Sequence, residues 1–290
     1  MFNKLCIIGV GLIGGSIARA ARQHKLCTII SAYGRQEDED NLQRAVQLNV
    51  IDTYSLNLGE AIEGADCVIV ATPVGAMEAI FKQLAPYWSA NVLYMDAGST
   101  KASVVTALQA VLGELPANFV PAHPIAGAEN SGVDAALVGL FQDKRLILTP
   151  CEQTNAYFVD LATQFWQGVG SVVSQMSIEQ HDAVLAATSH LPHILAFTLV
   201  DLLGKKDEQR EIFKYAAGGF NDFTRIASSD PTMWRDICMA NKSQIIPLIE
   251  QLCVELQAIK QMLKQDQVQP LQDTFTYARN ARQRFLKQSK

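Results

Sequence analysis

Charge is scarce in this sequence. Aspartate, glutamate, lysine and arginine make up 18% of its 290 residues and leave a net charge of −5. An acidic chain with no basic surplus is a poor partner for nucleic acid, and any anionic ligand would need a local basic site. Paired cysteines are also lacking. The six present (Cys6, Cys27, Cys67, Cys151, Cys238 and Cys253) are scattered with no C-x-x-C spacing. That argues against a zinc or disulfide framework and for reduced thiols in a reducing compartment. Beyond the N-terminal stretch no run of about 18 apolar residues is found, so no membrane span is expected. Lys4 followed by an apolar run imitates a secretory signal. The glycine spacing inside that run and the helix pattern after it explain it better, and the expected location is cytoplasmic. Apolar residues are plentiful, at 49% of the chain. They suffice for a large core in one or two domains.

The stretch from Lys4 to Ser16 reads as a short apolar strand, a glycine turn and the start of a helix. Gly9, Gly11 and Gly14 fall on the spacing G-x-G-x-x-G, with Leu12 and Ile13 between the last two. The first glycine makes the tight turn, the second lets the backbone approach a pyrophosphate, and the third lets helix and strand pack closely. The helix start then offers unpaired N–H groups to the phosphates. A dinucleotide cofactor is expected here.

Apolar, β-branched runs suggest further strands at Thr28–Tyr33, Cys67–Ala71, Val92–Asp96, Phe119–Ala122, Arg145–Thr149 and Ser171–Gln175, alternating with helical patterns. Alternation of this kind indicates a doubly wound parallel sheet of Rossmann type, covered on both faces. Ligands of such sheets bind beyond the carboxyl ends of the strands. Gly34, Arg35 and Gln36, then Thr72 and Pro73, Ser99 and His123 fall there. The acidic run Glu37–Asp40 reads as a solvated loop.

From Ser177 onward the pattern is helical, opened by a Ser177–Gln180 capping-box match. Helices are predicted over 178–189, 192–203, 209–216, 231–240, 242–264 and 271–286, with Pro192 and Pro247 kinking or restarting them. The expected organisation is an α/β dinucleotide-binding domain over residues 1–175 and an all-α domain over 176–290. The long apolar helices of the second would expose a hydrophobic face in a monomer, which suggests a homodimer.

Arg35 stands where an acidic residue would hold the ribose 2′-OH of NAD, so the reading leans to the 2′-phosphate of NADP; an arginine stacked on adenine with NAD bound is the other reading. Of the five histidines, His24 and His181 read as solvated. His123 ends a strand on the ligand edge and suits a general base. His190 and His193 lie at a helix break, where a hydrogen-bonding role beside the cofactor is favoured over a metal site. Residues 218–234 read as a loop with Arg225 placed to clamp a carboxylate.

The ordered set GVGLIGGS, Asp96–Lys101, His123–Gly127, Thr188–His193 and Gly219–Trp234 resembles the prephenate/arogenate (cyclohexadienyl) dehydrogenases of tyrosine biosynthesis over almost the whole chain. The resemblance implies oxidative decarboxylation of prephenate or arogenate with hydride transfer to NAD(P), and a homodimer formed through the helical domain. It implies His123 as the base on the ring hydroxyl, with Ser99 sharing that hydroxyl. It implies Arg225 on a substrate carboxylate, His190 or His193 in the substrate site, Glu129 and Asp222 at its mouth, and Gly219, Asn221 and Trp234 beside it. Some members carry lysine at the Asn221 position. Prephenate against arogenate and feedback by tyrosine stay open. Two rivals are another two-domain dehydrogenase of the β-hydroxyacid or imine reductase type, and a cofactor-binding regulatory module without catalysis.

Overall fold

The computed structural model describes residues 1–128, 130–206 and 212–288. Six strands form a parallel sheet: β1 (Phe2–Ile8), β2 (Cys27–Tyr33), β3 (Thr53–Ser55), β4 (Cys67–Val70), β5 (Leu93–Asp96) and β6 (Phe119–Val120). Their spatial order is β3-β2-β1-β4-β5-β6. The order reverses between β1 and β4, and a crevice opens there at the carboxyl ends. The middle strands are apolar throughout, as strands covered on both faces must be. Ile7 and Leu5 face one core layer and Cys6 and Ile8 the other. Covering the sheet are α1 (Leu12–Gln23), α2 (Glu39–Gln47), α3 (Leu58–Ile62), α4 (Met77–Leu84) and α5 (Ala102–Leu112).

The run expected as a single strand at 119–122 divides between two sheets. Pro121 has no N–H to continue the ladder, and the Ala122 N–H turns to the Asp96 carboxylate instead. The chain then enters a second sheet, β7 (Ala122–Pro124), β8 (Arg145–Leu148) and β9 (Val172–Gln175), in which β7 and β8 are antiparallel. The helix α6 (Ala156–Gly168) lies between β8 and β9 in the chain and buries Phe165 and Trp166. Strand β3, short and mostly polar, gave no apolar run to read.

Helices follow: α7 (Ile178–Leu185), α8 (Leu191–Lys206), α9 (Gly218–Thr224), α10 (Pro231–Ala240), α11 (Lys242–Lys264) and α12 (Val268–Gln288). The Ser177 hydroxyl caps α7 by accepting the Gln180 N–H. Three expectations change. The break before Pro192 is a π-helical turn over Ala186–His190 that joins α7 to α8 without interruption. Pro247 lies inside α11 without ending it. The segment read as a loop from Gly218 is α9 followed by a 3-10 turn at Arg225–Ser228. The helix predicted over 209–216 falls partly outside the described residues; its end is a 3-10 turn at Phe213–Tyr215.

The helical run Ile178–Lys206 is long and apolar enough to cross a membrane by length and composition alone, although its His181, Asp182 and His190 are buried in the protein. The acidic run Glu37–Asp40 is not a loop: it closes a 3-10 turn and starts α2, where carboxylates suit the positive end of the helix dipole. All six cysteines are free thiols, and burial pushes Cys6 up to about 12.

The chain folds as two compact units, one spanning residues 1–242 and the other residues 243–290. The second unit carries exposed apolar side chains along both its helices, among them Val254, Leu256, Leu263, Phe275 and Phe285.

Candidate active site

The glycine turn has the shape its spacing requires. Gly9 adopts φ +93°, and a Cβ there would press on Thr72 and the Ala71 carbonyl. A Cβ on Gly14 would overlap the Gly9 carbonyl oxygen. A Cβ on Gly11 would meet nothing within 4 Å, so the space over it is open to a ligand. Helix α1 starts at that glycine with no side-chain cap and no acidic residue in its first turn. The Thr72 hydroxyl, at the end of β4, is buried and has no hydrogen-bond partner among the described residues. Unused backbone N–H groups, an open glycine and an orphaned hydroxyl fit a dinucleotide's phosphates. Beyond β2, Arg35 is not free to meet a 2′-phosphate alone: its guanidinium pairs with Glu37 at 2.8 Å and Asp38 at 3.0 Å.

A second cluster forms where β5, β7 and the start of α5 meet α7. The Lys101 ammonium bonds to the Asp96 carboxylate and, at 2.6 Å, to the Ala122 carbonyl. Both side chains of this ion pair are 0% exposed. Burial pulls the Lys101 pKa down, and Asp96 restores part of it. Lys101 thus ties the turn carrying Ser99 to the strand carrying His123. Ser99 itself is half-buried in that turn.

His123 is buried, and its Nδ1 lies 2.8 Å from His181 Nε2. His181 Nδ1 in turn lies 2.8 Å from Asp182 Oδ1. His181 is therefore not solvated; it is 0% exposed, because α7 packs its first turn against the start of α5. Asp182 caps that helix from outside, accepting the backbone N–H of Lys101 at 2.8 Å and of Ala102 at 2.9 Å. Burial opposes the Asp182 carboxylate ion, but hydrogen bonds from His181 and these two N–H groups outweigh it and hold its pKa below the ordinary value. Burial first, and then positive charge where His181, Lys101 or His190 carries it, pushes the His123 pKa well below the usual histidine range.

Asn241, at the end of α10, donates to the Asp182 carbonyl at 2.8 Å and lies 3.1 Å from His190 Nδ1. The π-turn aims His190 inward, as such turns do at functional sites; burial lowers its pKa to about 4. His193, one turn on, stacks on Trp234 with ring centroids 3.5 Å apart. Burial lowers the His193 pKa, and the positive charge of Arg225 lowers it further. The structure thus gathers His123, His190, His193, Trp234 and Arg225 around α7, α8 and α10. The 74–76 turn after β4 joins this group to the cofactor edge, with Gly75 packed on Asp236 of α10 and Val74 against Gly98.

Gly219, Asn221 and Asp222 sit exposed on α9, in the helix preceding Arg225. Glu129 lies outside the described residues. Reading the sequence missed His181, Asp182, Asn241 and the Asp96–Lys101 pair. A His-Asp dipeptide one turn into a largely apolar helix was the one available signal for the first two.

The family models "Prephenate dehydrogenase, nucleotide-binding domain" and "Prephenate dehydrogenase, dimerization domain" match residues 17–175 and 177–277. A cyclohexadienyl dehydrogenase of Zymomonas mobilis is 36% identical over 285 residues, covering 97% of this chain and 96% of that protein. A prephenate dehydrogenase of Bacillus subtilis is 36% identical over 97% of this chain and 76% of its own length. The crystal structure of prephenate dehydrogenase from A. aeolicus, in complex with hydroxyphenyl propionate and NAD+, superposes with a TM-score of 0.91 at 36% identity, covering 98% of this chain and 99% of that one.

Proposed function

The chain belongs to the prephenate dehydrogenase family, and from that membership we propose that it oxidatively decarboxylates prephenate, arogenate or both, with His123 as the general base. It is an NAD(P)-dependent oxidoreductase of tyrosine biosynthesis. Membership sets aside the β-hydroxyacid and imine reductase readings.

The observation that carries the role of His123 is its hydrogen bond. With Nδ1 engaged by His181, Nε2 is the nitrogen left to meet a substrate. When bound, the nicotinamide supplies the hydride acceptor. His123 takes the hydroxyl proton as hydride leaves the same ring carbon, and the ring carboxylate then departs as CO2, leaving an aromatic product. A pKa well below the ordinary value keeps His123 neutral, ready to accept that proton, at neutral pH. Ser99 shares the hydroxyl. Arg225, His190, His193 and Trp234 bind the rest of the substrate, with Gly219, Asn221 and Asp222 at the mouth. Gly9 to Gly14, Thr72 and Pro73 hold the cofactor.

On the cofactor, the two carboxylates on Arg35 turn the balance from NADP towards NAD. A 2′-phosphate would face Glu37 and Asp38 as well as the guanidinium. We further propose a homodimer through the helical domain, residues 176–290, in the cytoplasm. The exposed apolar side chains of α11 and α12 support the dimer.

Steady-state kinetics that cross both substrates with both cofactors test this reading. Turnover of neither substrate would overturn it. His123→Asn should lower kcat by about 10²–10⁴-fold with little change in KM; near-unchanged turnover would remove His123 as the base.

A further inference from the structure

His181 is fully buried and lies 58 residues from His123 in sequence. With His181 neutral, its hydrogen bonds allow one assignment of protons. Asp182 accepts two backbone N–H bonds, so its carboxylate is ionised and can only accept from His181 Nδ1. A neutral His181 then carries its proton on Nδ1 and offers a lone pair at Nε2. His123 must donate its Nδ1–H to that lone pair, which places the basic lone pair of His123 on Nε2. The hydrogen bond at one ring nitrogen thus decides which form the other takes.

We propose that His181, backed by Asp182, is a positioning residue that selects the basic tautomer of His123 and stabilises the imidazolium formed when His123 takes a proton. The proposal rests on the role given to His123 above. No covalent step is added. The proton bound at His123 Nε2 leaves a positive charge whose Nδ1–H still points at His181, and the charge is shared along the bond toward the Asp182 carboxylate. Lys101 opposes this from α5 with its positive charge, largely matched by Asp96. His190 is near enough to act on His123 and is neutral near pH 7 because burial lowers its pKa to about 4, and His193 acts in turn on His190. Asp182 is then the carboxylate placed to balance a positive charge on the histidine pair.

The test is the kcat and kcat/KM pH profile of the full-length protein, for the parent, His181→Leu and His181→Gln, with intact cofactor binding checked by fluorescence titration. Leucine removes the acceptor. A glutamine carbonyl can still accept the His123 Nδ1–H but cannot share the charge. His181→Leu should lower kcat at least about tenfold with KM changed less than about twofold. The acid limb of kcat/KM should move to lower pH, because the imidazolium has lost its partner. His181→Gln should recover part of kcat while its limb stays displaced. A parent-like kcat and limb in His181→Leu would overturn the proposal. So would a parent-like limb in His181→Gln, which alone decides the matter if the leucine variant does not fold. A parent enzyme inactive on both substrates would instead overturn the functional reading beneath it.

Discussion

The imidazole of His193 lies almost flat on the indole of Trp234, with centroids 3.5 Å apart and planes inclined by 19°. The stack locks α8 to α10. It also leaves Trp234 buried, with its indole N–H unbonded to any described residue, an unusual state for a buried donor. Under the proposed function Trp234 and Arg225 bind the substrate.

Substrate affinity should therefore depend on this wall. Trp234→Leu and Arg225→Ala should each raise KM by about tenfold or more and lower kcat much less, since both groups position rather than react. Initial-rate measurements over a wide substrate range check this. An unchanged KM in either variant removes that residue from the substrate site.

Two glycines of one motif should separate fold from cofactor. Gly11→Ala places a methyl in open space, so its thermal midpoint should stay within about 2 °C of the parent while the cofactor Kd rises at least about tenfold. Gly14→Ala drives a methyl into the Gly9 carbonyl and should lower both stability and cofactor affinity. Thermal melts with and without cofactor distinguish them; equal behaviour of the two variants would contradict the assignment.

The Asp96–Lys101 pair should behave as a buried ion pair whose partners depend on each other. Lys101→Met strands a fully buried carboxylate and should cost about 3–5 kcal/mol in denaturant unfolding. Adding Asp96→Asn to that variant should restore part of the loss. A double variant less stable than Lys101→Met would show that the charge was not the cause.

Mild acid should loosen the helical half. His190 keeps its neutral form in the fold, with a pKa near 4 against an ordinary 6.5. The unfolded chain thus binds its proton first as pH falls, and stability is lost from about pH 6.5 down to 4. That difference is worth about 3 kcal/mol. His123 and His193 shift in the same direction and add to the loss. Urea midpoints at pH 7.5 and pH 5 at fixed protein concentration measure it. Equal midpoints would show that these histidines take up protons alike in both states.

Much of this molecule is written locally. The glycine spacing at Gly9–Gly14 dictates a strand, a tight turn and a helix start, because only residues without a Cβ tolerate those contacts. Continuous apolar runs such as Cys67–Val70 dictate strands covered on both faces. Periodicity after Ser177 dictates helices. Local pattern failed where a neighbour decided the outcome. Pro121 moved His123 into a second sheet, because the Ala122 N–H found the Asp96 carboxylate. Pro192 did not break its helix, because a π-turn absorbed the missing hydrogen bond.

The sequence by itself determined the sheet, the phosphate turn and the residue types available for chemistry, since these follow from backbone sterics and periodicity over a few residues. Only the tertiary structure decided which histidines act together. His181 follows a helix cap and looks solvated in its own segment. It becomes the partner of His123 only when α7 docks on α5, where Asp182 finds two unpaired N–H groups and burial makes an unpartnered polar group costly.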